Sequence, residues 1–317
     1  MPAYNSAETI AESIESVLAQ TFSRWELIVV DDGSADETYE IATAYARRDP
    51  RIRVLRIEHG GCGAARGAGA RIARAPYIPR LDSDDLYLPE YMAEFAEFIQ
   101  AHPGHGIYSC NGERFHPDGS VMLRLRGPRF EQVVSVDLDE MLVWNRVFTT
   151  AVLDRSILDL VGGIRPDIYV EDYDLWVRAL AHGATHIYLP KVLARYRVSE
   201  GQMTSDRTRI EASAIQSRND LIASGLLDKR QVSIAREKNR DMQRWIAKRR
   251  WADLERRLAA GDRTHLLRDM FCARQAIPSV VEVRLRAMVA ESIRRLRGVF
   301  PALENVRPRK RREERSR

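Results

Sequence analysis

The apolar run WELIVV, Trp25–Val30, stops at Asp31–Asp32–Gly33–Ser34, and a helical pattern, Asp36–Arg47, takes over within two residues. The figure then repeats. Arg51–Ile57 (RIRVLRI) reads as a strand, Ala64–Ala75 as a helix and Ala75–Leu81 as a strand, which ends in Asp82–Ser83–Asp84–Asp85. Ahead of them, Ile10, Ile14, Val17 and Leu18 give Ala7–Gln20 a helical spacing. Strands alternating with helices leave few folds open. They imply βαβ units and an α/β domain with a mostly parallel sheet flanked by helices. Ligands of such sheets sit beyond the carboxyl ends of the strands. Two acidic clusters, DDGS and DSDD, stand at such ends.

Further on, Glu90–Ala101 reads as a helix with Tyr91, Phe95 and Phe98 on one side. Gly106–Cys110 and Ser120–Arg126 read as strands, and Leu138–Asn145 and Leu153–Val161 as helices. Gly162–Gly163 breaks the chain before a helix starting near Glu171, whose Leu175, Trp176, Val177 and Leu180 look like core. Beyond about residue 205 strand signals vanish and Arg-rich amphipathic helices follow. The expected organisation is an α/β domain over 1–205, an all-helical C-terminal region over 206–306 and a disordered basic tail over 307–317. Only MPAY precedes the first helix. Either the opening strand is shortened, or the natural start lies upstream of Met1.

Of the 317 residues, 44% are hydrophobic, enough for a sizeable core. The tail RPRKRREERSR carries seven basic and two acidic residues, which equals the whole net charge of +5. It reads as a solvated end or a contact for anionic lipid. Zinc-finger spacing and an aromatic RNA-binding signature are missing, so nucleic acid is not expected as a partner. An apolar stripe, Val281 to Leu303, with arginines around it, would pack on its own protein or lie on a membrane face. Cys62, Cys110 and Cys272 show neither a pairing pattern nor metal-ligand spacing, which favours a reducing compartment. Without a signal-peptide pattern or a long apolar run, the expected location is cytoplasmic, peripheral on the membrane face if the basic end binds lipid.

Asp82, Asp84 and Asp85 repel one another unless a cation joins them. Mg²⁺ and Mn²⁺ take oxygen ligands and often combine one or two carboxylates with substrate phosphates. In an extended chain Asp82 and Asp84 point the same way. The alternative is an acidic turn, with Asp84 or Asp85 capping the helix after Pro89. Ser34 and Asp36 suit a helix start, which leaves Asp31 and Asp32 unexplained. A carboxylate there could accept from a base N–H or a ribose hydroxyl. Gly60–Gly67 resembles a dinucleotide loop but spaces its glycines as GxGxxxG; such glycines permit close approach to a ligand. Arg66 can neutralise a diphosphate or simply be solvated. Glu171, Asp172 and Asp174 are favoured at a helix N-terminus by the dipole, and a carboxylate there can act as a general base.

In order along residues 2–205 stand PAYN–SAETI, WELIVVDDGSADET, GGCGAARGAGARIA, YIPRLDSDD, VGGIRPD–YVEDYDLWVRALAHG and KVLARYRVSEGQMTS. Together they resemble the family 2 inverting glycosyltransferases of the GT-A fold. The resemblance implies a nucleotide-diphospho-sugar donor, a divalent metal (Mn²⁺ or Mg²⁺) and a sugar or lipid-linked acceptor. It implies that Ala3 and Tyr4 line the nucleobase and that Asp32 binds the base. Arg66 would lie near the base or diphosphate. Asp82, Ser83 and Asp84 would form the DxD motif on the donor, with metal contacts from Asp82, Asp84 and Asp85. Asp172 would be the catalytic base and Glu171 would help shape the acceptor site. Three departures stand out: Gly67 where Asn is common, Arg80 where an apolar residue is common, and Ser199 where many relatives carry His. Arg197 or Gln202 would then supply the contact to metal or diphosphate.

The expected activity is inverting transfer to a hydroxyl acceptor, in cell-surface polysaccharide or glycolipid synthesis. The alternatives are a sugar-nucleotide-binding protein without turnover and a nucleotidyltransferase. The latter needs a Gly-rich, basic loop after the first strand, which PAYNSAET is not.

Overall fold

The computed structural model describes residues 1–116, 118–124, 131–147, 150–199 and 202–260. The Val281–Leu303 stripe, the 307–317 tail and Cys272 lie outside them. The chain forms two compact units, Met1–Met242 and Gln243–Arg317. In the second, the described residues are helical as far as Ala259.

The first unit opens with β1 (Pro2–Ala3), α1 (Ile10–Leu18), β2 (Leu27–Asp31), α2 (Thr38–Ala46), β3 (Ile52–Arg56), α3 (Cys62–Ile72) and β4 (Tyr77–Pro79). Next come β5 (Leu86–Tyr87), α4 (Tyr91–Ala101), β6 (Ile107–Phe115), β7 (Val121–Arg124), α5 (Leu138–Val143), β8 (Val152–Asp154) and α6 (Ser156–Val161). It continues with α7 (Glu171–Ala181), β9 (His186–Arg197) and α8 (Arg207–Ser224), and α9 spans Lys229–Ala259.

Strands β1–β2–β3 form a parallel sheet, as the βαβ pattern predicts. β2 is buried along its whole length, which suits a central strand covered on both faces. β1 is only two residues long. The second sheet, β4–β8–β6–β9–β5 with β7 on β6, is mixed. Only β6 and β9 pair in parallel there; its other pairings are antiparallel.

Two expectations need correction. Val152–Asp154, inside the helix expected over Leu153–Val161, is a strand between β4 and β6. Burial of Val152 and Leu153 in the sheet overrides the local pattern. Asp154 then accepts from the Ser156 N–H (2.9 Å) and starts α6. Strand β9 was not expected at all. It contains Pro190, and its pairing with β6 skips from Leu189 to Val192, so the proline sits in a bulge where its missing N–H costs no ladder bond.

α7 is held from both sides. Leu175, Trp176 and Val177 are fully buried, and Leu180 nearly so, in a core shared with α5, α6 and α8. Each such side chain stabilises the packing by about 1.5–3 kcal/mol. Arg218 of α8 donates to the Tyr173 hydroxyl (3.0 Å), and Ser213 accepts from the Val170 N–H (3.0 Å). The N-terminus of α7 is thereby fixed against the rest of the unit.

Candidate active site

The DSDD turn connects β4 to β5, and β5 pairs antiparallel with β9. That register brings Arg197 to the turn. Its N–H donates to Asp85 Oδ1 (3.0 Å) and its Nε to the Asp84 carbonyl (2.8 Å). The guanidinium lies over the Phe115 ring (4.6 Å) and also bonds Glu12. Arg197 is therefore a strut that shapes the turn. Asp85 is fully buried and ties the turn to β9; it does not cap α4, whose N-cap residue is Glu90. The capping alternative is thus corrected for both acids, since Asp84 faces Gln202 Nε2 (3.4 Å). Ser83 faces away, toward α1, exchanging a hydroxyl hydrogen bond with Ser6 (2.8 Å).

The loop before α7 carries its acidic end to α3. A Cβ on Gly63 would stand 2.7 Å from the Arg165 carbonyl, so this glycine permits close packing of protein backbone, not of a ligand. One turn further along α3, Arg66 bonds both Asp82 and Glu171. Arg80 Nη2 also reaches Glu171 Oε1 (2.8 Å), and its guanidinium lies over Trp176 (5.0 Å). Two arginines, Asp82 and Glu171 thus form one largely buried cluster. Among side-chain hydrogen bonds, Asp172 accepts from the adjacent Tyr173 N–H (2.6 Å). It lies close enough to act on the charges of Arg66, Arg80 and Cys62.

The carboxyls of the turn differ in protonation. Burial pushes Asp85 well above the usual range, and its neighbours Asp84 and Asp82 push it further. Asp84 is raised for the same reasons, burial first and Asp82 second. Burial acts the same way on Asp82, but Arg66 outweighs it and holds the acid below its ordinary value.

At the other acidic end the charge of Asp32 is met by the protein itself. Asp32 accepts from the Gly60 and Gly61 amides (2.8 Å each), and His59 Nδ1 lies 3.0 Å away. Asp31 pairs with Arg56 Nε (3.2 Å). Gly33 has φ +74° and a Cβ there would meet the His59 N–H, so the turn needs glycine. Ala3 is buried at the end of β1, and the exposed Tyr4 stacks on His59 (4.2 Å between centroids). Asn5, at φ +47°, accepts from Ala35 and thereby holds the Tyr4 loop against the β2 end. His59 and Arg56 were not singled out in the sequence. The signal for His59 was its place beside Gly60, directly after a strand.

Do these residues suit a divalent cation? Asp85 Oδ2 is buried without a hydrogen-bond partner among the described residues, and Asp84 and Asp85 are raised by burial first and by neighbouring carboxylates second, Asp82 acting on both. A cation would relieve both, so the donor set fits. Among the described residues no group of three or more His, Cys, Asp or Glu side chains forms a ready cage. That matches ions held by one or two carboxylates plus substrate phosphates. A cavity of about 480 Å³ lies elsewhere, lined mainly by apolar residues such as Ile28, Tyr77 and Phe95. Arg66 and Arg80 border it, whereas Asp82, Asp84 and Asp172 do not. The candidate site is therefore the open rim of charged residues and not this cavity.

The α/β scaffold has known counterparts. Residues 1–162 match the family described as glycosyl transferase family 2, and the chain belongs to that family. It is 28% identical over 216 residues to the Escherichia coli enzyme WfgD, a UDP-Glc:alpha-D-GlcNAc-diphosphoundecaprenol beta-1,3-glucosyltransferase. The match covers 65% of this chain and 79% of that enzyme. Among these curated relatives the chain spans from 22% to 80% of their length. The fold matches Staphylococcus aureus TarS 1–349 in complex with UDP-GlcNAc (TM-score 0.61, 19% identity, 89% of this chain and 81% of that one). It also matches the mannosyltransferase PcManGT of Pyrobaculum calidifontis with GDP-Man and Mn²⁺ (TM-score 0.60, 19% identity, 95% and 86%). These are GT-A glycosyltransferases, and the fold is theirs.

Proposed function

We propose that this chain transfers a sugar from a nucleotide-diphospho-sugar to a hydroxyl acceptor, with inversion at the anomeric carbon. The observation that carries the reading is the meeting of Arg66, Asp82 and the acidic start of α7 beside the DSDD turn. The nucleobase would lie over Ala3 and Tyr4 at the Asp32 end, and the diphosphate near Arg66. Asp84 and Asp82, with Asp85 behind them, would hold Mn²⁺ or Mg²⁺. When bound, the cation would neutralise charge on the leaving diphosphate.

Asp172 is the proposed base. Glu171 is committed to two guanidinium groups, whereas Asp172 has none bonded to it among the described residues. It would take the acceptor hydroxyl's proton as the oxygen attacks the anomeric carbon and the bond to the diphosphate breaks. One displacement inverts the centre without a glycosyl-enzyme. Arg66 keeps the developing charge of the leaving group paired.

The likeness to a glucosyltransferase named for a diphosphoundecaprenol-linked substrate supports a lipid-linked or saccharide acceptor in surface polysaccharide or glycolipid synthesis. Among the described residues no helix is long and apolar enough to cross a membrane. Contact with such an acceptor would then be peripheral, with the arginine-rich C-terminal segment toward anionic lipid. The test is a panel of nucleotide sugars and acceptors with Mn²⁺, with the product's anomeric configuration read by NMR. Asp172→Asn is expected to lower kcat by about 10²–10⁴-fold while donor affinity changes less than about twofold. Unchanged kcat would remove Asp172 from the role, and a retained anomer would overturn the single-displacement mechanism.

A further inference from the structure

Glu171 opens α7, is nearly fully buried, and holds two guanidinium groups whose situations differ. Arg66 also grips Asp82, so it keeps a carboxylate if Glu171 lets go. Arg80 has Glu171 as its single ion-pair partner among the described residues. Its Nε and Nη1 are buried with no hydrogen-bond partner there. Parting Glu171 from Arg80 would strand a buried cation, which is costly. Parting it from Arg66 would not. Two cations share one acid, and one of the contacts is the easier to give up.

We propose that Glu171 is an internal counter-anion that occupies Arg66 until the donor's diphosphate takes its place. Arg80 is the positioning residue that keeps Glu171 paired once Arg66 has turned to phosphate. This inference rests on the donor-site reading above and goes beyond it, because it gives Glu171 and Asp172, neighbours in sequence, separate duties. The exchange leaves no buried charge alone: Arg66 trades a carboxylate for a phosphate, to which guanidinium bonds equally well. It also gives Arg80 a purpose where an apolar residue would leave Glu171 resting on Arg66 alone.

The consequences have opposite signs. Glu171→Gln removes the competitor, so nucleoside diphosphates bind about three- to tenfold more tightly. Arg80→Met leaves Glu171 wholly on Arg66, so they bind more weakly by a similar factor. The double variant follows Glu171→Gln. A merely structural role for the cluster would instead weaken all three variants, and would weaken nucleoside binding as well.

The experiment is calorimetric titration of the full chain and these variants with UDP, GDP, CDP and TDP, each beside its nucleoside, in Mn²⁺. The expected result is tighter diphosphate binding by Glu171→Gln, weaker binding by Arg80→Met, and nucleoside affinity unchanged in both. Equal or weaker diphosphate binding by Glu171→Gln overturns the proposal. Should that variant fail to fold, Arg80→Met against Arg80→Lys decides. Lysine is expected to restore affinity to within about twofold of the wild type, and a methionine variant that binds like the wild type overturns the proposal. If the wild-type chain binds none of the four diphosphates, the donor-site reading falls and takes this inference with it.

Discussion

Two strands of this protein end in paired aspartates, and the two ends behave differently. At DDGS Asp32 is answered from within by two loop amides and His59, while buried Asp31 has the ion pair with Arg56 and no hydrogen-bond partner among the described residues. At DSDD, among the described residues, only Asp82 meets a cation directly, while Asp84 and Asp85 are pushed up by burial and then by neighbouring carboxylates. The same residue type at the same place in the fold gives, at one end, a strut that shapes a loop. At the other it gives acids with charge to spare for a metal. What decides is the surroundings: glycine amides before α3 at one end, the β5–β9 pairing and the start of α7 at the other.

The largest effect should come from the end with unmet charge. Asp84→Asn is expected to lower Mn²⁺-dependent turnover by about 10²–10³-fold, as loss of transition-state charge stabilisation does elsewhere. Steady-state rates across a Mn²⁺ titration would show it. Turnover close to wild type would mean that DSDD is as self-contained as DDGS, and the contrast would collapse.

Asp32→Asn should act first on stability. An amide has one oxygen where the carboxylate offers one to Gly60 and one to Gly61, so one of the two N–H groups loses its partner at a cost of about 1 kcal/mol. Thermal unfolding would register a few degrees, at roughly 2–4 °C per kcal/mol for a chain of this size. An unchanged Tm would show that the loop holds itself without the acid.

The smallest effect has the opposite sign. Asp85 has a raised pKa in the folded chain, so its contribution to stability is fully present below the unfolded value of about 3.9 and is lost as pH rises through the folded value. At neutral pH the buried carboxyl therefore costs stability. Asp85→Asn keeps an acceptor for the Arg197 N–H and removes that cost. It is expected to raise metal-free stability at pH 7 by on the order of 1 kcal/mol. The gain should grow with pH from about 4 upward and vanish below it. Mn²⁺ should stabilise the wild type more than the variant. A variant less stable than the wild type at pH 7 would place Asp85 among the satisfied acids.

Much of this was legible in the sequence. The alternation of helices and strands from α1 to β4 follows from apolar spacing, and the acids fall at strand ends because the turns there demand Gly33 and small polar residues. The core face of α7 could be read from Leu175, Trp176, Val177 and Leu180. What could not be read depends on pairing between distant segments. β8 is too short for its period to show, and β9 hides behind Pro190. The Arg66–Glu171–Arg80 cluster joins residues as many as 105 positions apart, through a loop whose course depends on Gly63 packing against Arg165. Asp32 shows the limit from the other side. Its position suggested a ligand contact, and the structure shows it already accepting two backbone amides.

The central claim is that the DSDD end holds a metal–diphosphate. Its most direct test is the affinity of the wild-type chain and of Asp84→Asn for a nucleoside diphosphate, titrated by calorimetry with Mn²⁺ and again in EDTA. The account predicts that Mn²⁺ strengthens binding to the wild type by at least about tenfold and leaves Asp84→Asn nearly unaffected. Equal Mn²⁺ dependence in the two proteins would contradict it.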